Sequence, residues 1–208
     1  MGERRYSMLD RLLIGVAQGL PAPRAQATGS PRGPVAAQGD PLRREAANLM
    51  RVNHAGEVAA QGLYHGQALT ARSAQTRQHL LEAAGEEQQH LQWCEQRLQE
   101  LGDRPSRLRP LWYAGSVAMG AVAGLFGDRW SLGFVAETER QVAEHLDEHL
   151  QRLPAQDARS REILQAMRRD EQRHGTEAEN LGGAPLPVPV RGLMRQIARV
   201  MKAGAYRF

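Results

Sequence analysis

The chain has 208 residues, which is long enough for one compact domain with a sizeable hydrophobic core. Alanine, leucine, glutamine, glutamate and arginine are abundant and aromatic residues are scarce, and this composition favours helices over sheets. The single cysteine excludes an internal disulfide and a cysteine-based zinc site. Although the net charge is +4, no nucleic-acid-binding motif is present, so nucleic acid is not an expected partner.

The first forty residues are predicted to stand apart from the main domain. A short amphipathic helix is expected over about 6–20, because its apolar residues fall on one side. Residues 21–41 are rich in Pro, Gly and Ala without periodic apolar positions, which is typical of a flexible linker. Asp10 interrupts the early apolar run, so a cleaved signal peptide is not expected. We therefore predict a helix and linker over 1–40 and one domain over 41–208.

Six helices are predicted in that domain, and no segment shows a sustained strand pattern. Their predicted ranges are 41–72, 74–101, 111–127, 129–153, 157–181 and 190–203. Pro41 suits a first helical turn, Gly102 suits a helix end and Asp157 suits an N-cap. Four of these helices are long and closely connected. The prediction is therefore an all-α fold, a four-helix bundle with an additional apolar helix and a basic amphipathic C-terminal helix.

Two Glu-x-x-His sequences occur in the chain, one in the second predicted helix and one in the fifth. They are Glu87 to His90 and Glu171 to His174. Residues three apart lie on nearly the same helix face, so each pair can present one oxygen and one nitrogen to a common point. Both pairs fall within apolar stripes, which predicts that they face the core.

The other two long helices also place a glutamate in the apolar stripe. Glu139 fills a missing position in the stripe of the fourth helix, and Asn53 and Glu57 interrupt the stripe of the first. The neighbouring Glu137 and Glu144 lie off the stripe and are predicted to be solvated. Each long helix therefore points one glutamate into the core.

Four buried carboxylates without partners would be very costly, whereas two divalent cations would cancel their charge. One Glu from each of two helices plus Glu-x-x-His from two others is the ligand set of ferritin-like di-iron and di-manganese bundles. Mixed oxygen and nitrogen ligands suit iron or manganese better than zinc or copper. The predicted metal ligands are Glu57, Glu87, His90, Glu139, Glu171 and His174.

Outer partners for the two histidines are also predicted from the sequence. Glu86 and Asp170 each precede a motif glutamate, and an acid there can accept the free N–H of a ligating histidine. Asp170 is the better candidate. His54 and His145 are left as further candidates for this outer role.

Two segments indicate contact with a lipid surface. Residues 111–127 carry no charge and are near the lower length limit for a membrane span, so we expect a helix that lies against or dips into one leaflet. In 190–203 the basic and apolar residues fall on opposite faces, which is typical of a membrane-surface helix. The alternatives are a buried helix for the first segment and a helix docked on the bundle or on a partner for the second.

Several longer motifs resemble the demethoxyubiquinone hydroxylases of ubiquinone biosynthesis. They are LMRVNHAGE at 49–57, LYHGQA at 63–68, EEQQHL at 86–91, RPS at 104–106, FVAETE at 134–139 and DEQRHG at 170–175. The resemblance covers roughly 41–208, and it implies that the six residues above hold two ferrous ions, with Glu87 and Glu171 as bridges.

The resemblance further implies a peripheral monooxygenase on the cytoplasmic face of the bacterial cell membrane. It would use O2 to hydroxylate the ring of a polyprenyl demethoxy-benzoquinol. Electrons would come from an external donor or from the quinol, since the chain has no flavin or dinucleotide motif. Whether the chain forms a homo-oligomer or joins a ubiquinone-biosynthesis complex stays open. Alternative functions are a ferritin-like iron-binding or ferroxidase protein, a membrane di-iron quinol oxidase, and a metal-free structural bundle.

Overall fold

The computed structural model describes residues 40–208, so the predicted N-terminal helix and almost all of the predicted linker lie outside it. Within that range the chain forms six α-helices and no strand, which confirms the all-α prediction. The helices are α1 (Pro41–Thr70), α2 (Ala74–Glu100), α3 (Arg109–Leu125), α4 (Asp128–Arg152), α5 (Ala158–Asn180) and α6 (Val188–Arg207).

Local side-chain chemistry fixes the ends of the bundle helices. The carboxylate of Asp157 accepts a hydrogen bond from the backbone N–H of Ser160, so the predicted N-cap of α5 is confirmed. The hydroxyl of Ser73 caps α2 in the same way. Gly102 has a φ of 75°, a conformation that glycine adopts at helix C-termini without strain, and α2 ends two residues before it.

Four helices, α1, α2, α4 and α5, enclose the core, which is divided into two apolar clusters. The first cluster includes Leu49, Cys94, Leu146 and Met167, one residue from each helix. The second includes Tyr64, Leu80, Val135 and Ala178, again one from each helix. On each of these four helices, the predicted metal ligands come in sequence after the residues of one cluster and before the residues of the other. The ligands therefore form a polar layer between two apolar layers.

Helix α3 packs against α1 through glycines on both helices. A Cβ added at Gly66 would stand 2.1 Å from the carbonyl oxygen of Val117, and one added at Gly120 would stand 2.1 Å from that of Leu63. Glycine is therefore required for this close backbone approach. The glycines of the predicted apolar helix thus serve the packing of α3 on the bundle.

The opposite side of α3 is exposed and apolar, with Phe126, just beyond its end, 71% exposed and Leu125 65% exposed. Among residues 40–208 no helix combines the length and the apolar character that crossing a bilayer requires.

Helix α6 lies with its apolar face outward. Leu193 and Val200 are 61% and 69% exposed, so much of this face does not dock on the bundle. The basic side of α6 does contact the bundle in part, because the Lys202 ammonium donates a hydrogen bond to Nδ1 of His145 on α4 at 3.3 Å. The end of α6 is fixed by Tyr206, whose hydroxyl donates to Glu45 of α1 at 2.5 Å. Helix α6 therefore does dock on the bundle, as the alternative prediction has it, through Ala205, which packs in one buried cluster with Val52 and Ala55 of α1, while much of its apolar face stays exposed.

Candidate metal centre

The six residues predicted to bind metal lie together in the polar layer, and none is more than 2% exposed. Their ligand atoms form two groups, in each of which all the atoms lie within 4.8 Å of one another. One group contains Glu57, Glu87, His90 and Glu171, and the other contains Glu87, Glu139, Glu171 and His174. Because Glu87 and Glu171 belong to both groups, the arrangement has the form of two adjacent cation positions with two shared carboxylates.

The histidine rings direct their Nδ1 atoms toward these shared carboxylates. His90 Nδ1 is 3.0 Å from Oε2 of Glu87 and 3.4 Å from Oε1 of Glu171. His174 Nδ1 is 3.4 Å from Oε1 of Glu87 and 3.6 Å from Oε2 of Glu171. When two ligand atoms each lie about 2.1 Å from one metal ion and at right angles to each other, they are about 3 Å apart. The distances above are close to this value, so only small movements of the side chains would be needed to hold a cation between them.

Several polar atoms of the layer have no hydrogen bond of normal geometry within the described chain. These are both carboxylate oxygens of Glu139, both of Glu171, Oε1 of Glu87 and Nδ1 of His174. A buried charged group without a partner is costly, and a coordinated cation supplies the missing partner. The residues present therefore fit a pair of divalent metal ions.

Without a cation, the layer holds protons in place of the missing charge. Burial and the neighbouring carboxylates of Glu171 and Glu87 raise the pKa of Glu57, although His90 opposes the shift. Burial and Glu171 likewise raise the pKa of Glu139. Burial lowers the pKa of His174, but the close carboxylates of Glu171 and Glu87 outweigh the burial and raise the pKa to about 10. A metal ion entering the layer would therefore displace protons.

The outer nitrogens of the two histidines are held by acids from across the bundle. Nε2 of His90 on α2 lies 3.2 Å from Oδ2 of Asp170 on α5, and Nε2 of His174 on α5 lies 3.1 Å from Oε2 of Glu86 on α2. Both predicted outer acids are thus in place, each serving the histidine of the opposite motif. Partial burial favours the neutral form of Glu86, but hydrogen bonds from Arg173 and His174 lower its pKa, so it is an anionic acceptor.

Glu137, which we predicted to be solvated, is buried, so that prediction is wrong. It is 7% exposed, and both of its oxygens accept hydrogen bonds from Arg140. Gln141 donates to the same carboxylate and also to the backbone carbonyl of Arg191 in α6. Glu137 therefore belongs to a hydrogen-bonded group that links α4 to α6, a contact that the α4 pattern alone does not reveal.

His54 and His145, the further candidates for an outer role, make no hydrogen bond to the predicted ligands within the described chain. His54 is buried, and burial together with the nearby Arg109 lowers its pKa to about 3. His145 lies instead where α4 meets α6, with its ring centroid 3.8 Å from that of His149. Burial also lowers the pKa of His145, so both histidines are neutral in this structure.

Comparison with known proteins gives one family and a group of close relatives. The model of a family described as ubiquinone biosynthesis protein COQ7 matches residues 44–205. A 3-demethoxyubiquinol 3-hydroxylase of Xanthomonas oryzae pv. oryzae (strain PXO99A) is 55% identical over 211 residues, covering 98% of this chain and 96% of the relative. A 3-demethoxyubiquinol 3-hydroxylase of Ralstonia pickettii (strain 12J) is 64% identical over 165 residues, covering 79% of this chain and 76% of the relative.

A solved structure shares the fold. It belongs to the bacterioferritin-related protein of Bacteroides fragilis, a dodecameric thioferritin, and matches with a TM-score of 0.56 over 77% of this chain and 90% of the other. At 18% sequence identity this likeness concerns the fold alone, and it confirms the predicted ferritin-like bundle.

Proposed function

The chain belongs to the COQ7 family of ubiquinone biosynthesis proteins, and from this membership we propose that it is a 3-demethoxyubiquinol 3-hydroxylase. It uses O2 to place a hydroxyl group on the ring of a polyprenyl demethoxy-benzoquinol. The observation that carries the proposal is the buried layer of four carboxylates and two histidines in the middle of the bundle. Relatives that bear this enzyme's name align with almost the whole chain, which supports the same assignment.

We assign two ferrous ions to the layer. Glu57 and His90 would belong to one ion, Glu139 and His174 to the other, and Glu87 and Glu171 to both. The iron pair would supply the activation of O2 and the redox chemistry, which side chains alone do not provide. The mixed carboxylate and imidazole donor set suits iron.

The protein's own side chains keep this layer dry and fixed. Fully buried residues close it on both sides, with Tyr64 and Leu80 on one side and Leu49 and Met167 on the other. Excluding water strengthens every electrostatic interaction in the layer and protects reactive species from side reactions. The outer acids fix the two imidazole rings so that each presents Nδ1 inward.

The polyprenyl tail of the substrate calls for an apolar approach to the bundle. Helices α3 and α6 both pack on α1, which carries Glu57, and both expose large apolar side chains. Trp112 of α3 lies between them, since a Cβ added at Gly204 of α6 would stand 3.1 Å from its ring. We place the membrane surface, at the cytoplasmic face of the bacterial cell membrane, against these exposed apolar residues.

A labelling experiment tests the activity. The purified protein, loaded with Fe(II), is given a demethoxybenzoquinol with a short polyprenyl tail, a chemical reductant and isotopically labelled O2. Mass spectrometry should find one labelled oxygen atom in the ring of the product. Consumption of O2 without a ring hydroxyl would overturn the proposal in favour of a quinol oxidase or a ferroxidase.

Two variants locate the activity in the buried layer. Glu171→Gln should abolish labelling because it removes a shared carboxylate, whereas Glu162→Gln, at an exposed position of the same helix, should leave labelling unchanged. Full labelling by the Glu171→Gln variant would contradict the assigned site.

A further inference from the structure

Arg173, the residue directly before the histidine of the second motif, contacts both outer acids. Nη2 of Arg173 lies 2.5 Å from Oε2 of Glu86 and 3.5 Å from Oδ1 of Asp170. Arg173 also pairs with Glu177 on its own helix, through Nη1 at 3.4 Å. A continuous chain of polar contacts therefore runs from His174 through Glu86, Arg173 and Asp170 to His90.

The two outer acids would not hold this position by themselves. The carboxylates of Glu86 and Asp170 are 46% and 34% exposed, so water competes with the histidines for them. A guanidinium group has several donors in a rigid fork and can serve two carboxylates at once. Arg173 also links the two motif-bearing helices, because Glu86 lies on α2 and Arg173 on α5.

We infer that Arg173 is a positioning residue for the metal centre: it holds Glu86 and Asp170 on the Nε2–H groups of both histidines and so keeps both Nδ1 atoms directed inward. This inference rests on the proposed metal centre. Arg173 contacts none of the ligand atoms that would face the metal ions, and it stands at a position that the Glu-x-x-His pattern allows to be any residue.

The direction in which metal affinity changes when Arg173 is removed distinguishes a positioning role from a purely electrostatic one. Arg173 is a cation near sites for cations, so by Coulomb's law alone its removal should strengthen metal binding. Loss of positioning should instead weaken binding, because the imidazole rings lose the acceptors that fix their orientation.

The test is a titration of the metal-free protein with Co(II), in competition with a chromogenic chelator. Removal of partners outside the ligands typically costs 10–100-fold in affinity, so Arg173→Gln should weaken binding by about 10-fold. The matched control is Arg169→Gln, one turn earlier on α5, which removes the same charge at an exposed position without any hydrogen bond or ion pair in the described chain. It should leave affinity unchanged or slightly higher. Unchanged or tighter binding by Arg173→Gln would overturn the inference.

A second variant keeps the charge and removes the fork. Arg173→Lys should recover part of the lost affinity, because an ammonium group can replace the short contact with Glu86 but cannot hold both acids. The visible absorption bands of bound Co(II) should then show one altered site, that of His90. Full recovery with wild-type bands would show that only the charge matters, and this result would overturn the positioning role.

The same titration distinguishes failure of the inference from failure of the metal centre. If the wild-type protein binds no Co(II) in the layer, the metal centre and the inference fall together. If the wild type binds two ions and Arg173→Gln binds them equally well, only the inference falls. Should Arg173→Gln lose helical structure, as measured by circular dichroism, the Arg173→Lys titration decides.

Discussion

Gly66 of α1 lies directly against the backbone of Val117 in α3, so closely that a methyl group at Gly66 would stand 2.1 Å from the Val117 carbonyl oxygen. Backbone cannot move aside as the end of a flexible side chain can. The contact therefore fixes α3, with its exposed apolar face, on the helix that carries Glu57.

The first prediction concerns this contact. Gly66→Ala should lower the free energy of unfolding by about 1–3 kcal/mol or more, because the added methyl group forces α3 away from α1. Chemical denaturation followed by circular dichroism measures the change. The control is Gly56→Ala on the same helix, where nothing lies within 4 Å of the added Cβ and alanine should stabilise the helix by up to about 1 kcal/mol. Equal stability of the Gly66→Ala variant and the wild type would contradict the close approach.

The burial of the predicted ligands could be predicted from the sequence because the signal is local. Each of Glu57, Glu87, Glu139 and Glu171 occupies an apolar position of its own helix, and helical periodicity alone identifies such positions. Because buried carboxylates without partners are costly, these four are expected to meet around shared cations, whichever way the helices are connected.

Features that depend on which helix faces which could not be found in this way. Glu137 is buried in a hydrogen-bonded group that reaches α6 through Gln141, and nothing in the α4 pattern records that contact. The outward apolar face of α6 also runs against the usual rule that an amphipathic helix buries its apolar side. The crossed pairing of Glu86 with His174 likewise depends on the approach of α2 to α5.

The second prediction separates shared from unshared carboxylates. Glu171 belongs to both ligand groups and Glu139 to only one. Glu171→Ala should therefore abolish binding of both ferrous ions, whereas Glu139→Ala should keep one, held by the group that contains Glu57 and His90. Metal analysis of protein loaded under anaerobic conditions measures the ratio of iron to chain. Identical iron content in the two variants would contradict the assignment of Glu171 as a bridge.

The third prediction is a loss of stability in acid that depends on His149. Burial, and secondarily Arg152 and Lys202, lower the pKa of this buried histidine to about 3. Its folded pKa lies below the unfolded value of 6.5, so the unfolded chain binds more protons in acid. The stability it contributes is therefore complete above pH 6.5 and is lost as the pH falls below that value. One such group costs about 1.4 kcal/mol for each pH unit, or about 2 kcal/mol at pH 5.

Urea denaturation at pH 7 and pH 5 checks this dependence. The wild-type protein should lose about 2 kcal/mol more between these values than His149→Gln, whose side chain does not titrate. Burial, and secondarily His149, lower the pKa of the neighbouring His145, so the difference between the two proteins includes any change that the substitution causes at His145. An identical pH dependence in the two proteins would show that His149 does not resist protonation in the folded state.

The fourth prediction tests the membrane surface proposed for α6. Val200 is 69% exposed, and inserting its side chain into lipid should contribute about 1.5 kcal/mol. Val200→Gln should therefore weaken binding to vesicles of phosphatidylglycerol and phosphatidylcholine by about 10-fold, as measured by flotation. Arg199→Gln should weaken binding to these anionic vesicles by about fivefold, since a basic residue near an anionic surface contributes about 1 kcal/mol. It should not change binding to vesicles of phosphatidylcholine alone, which carry no net charge. Leu81→Gln, which changes an exposed apolar residue on α2, should bind like the wild type. Equal effects of the Leu81 and Val200 variants would mean that membrane binding is not located on α6.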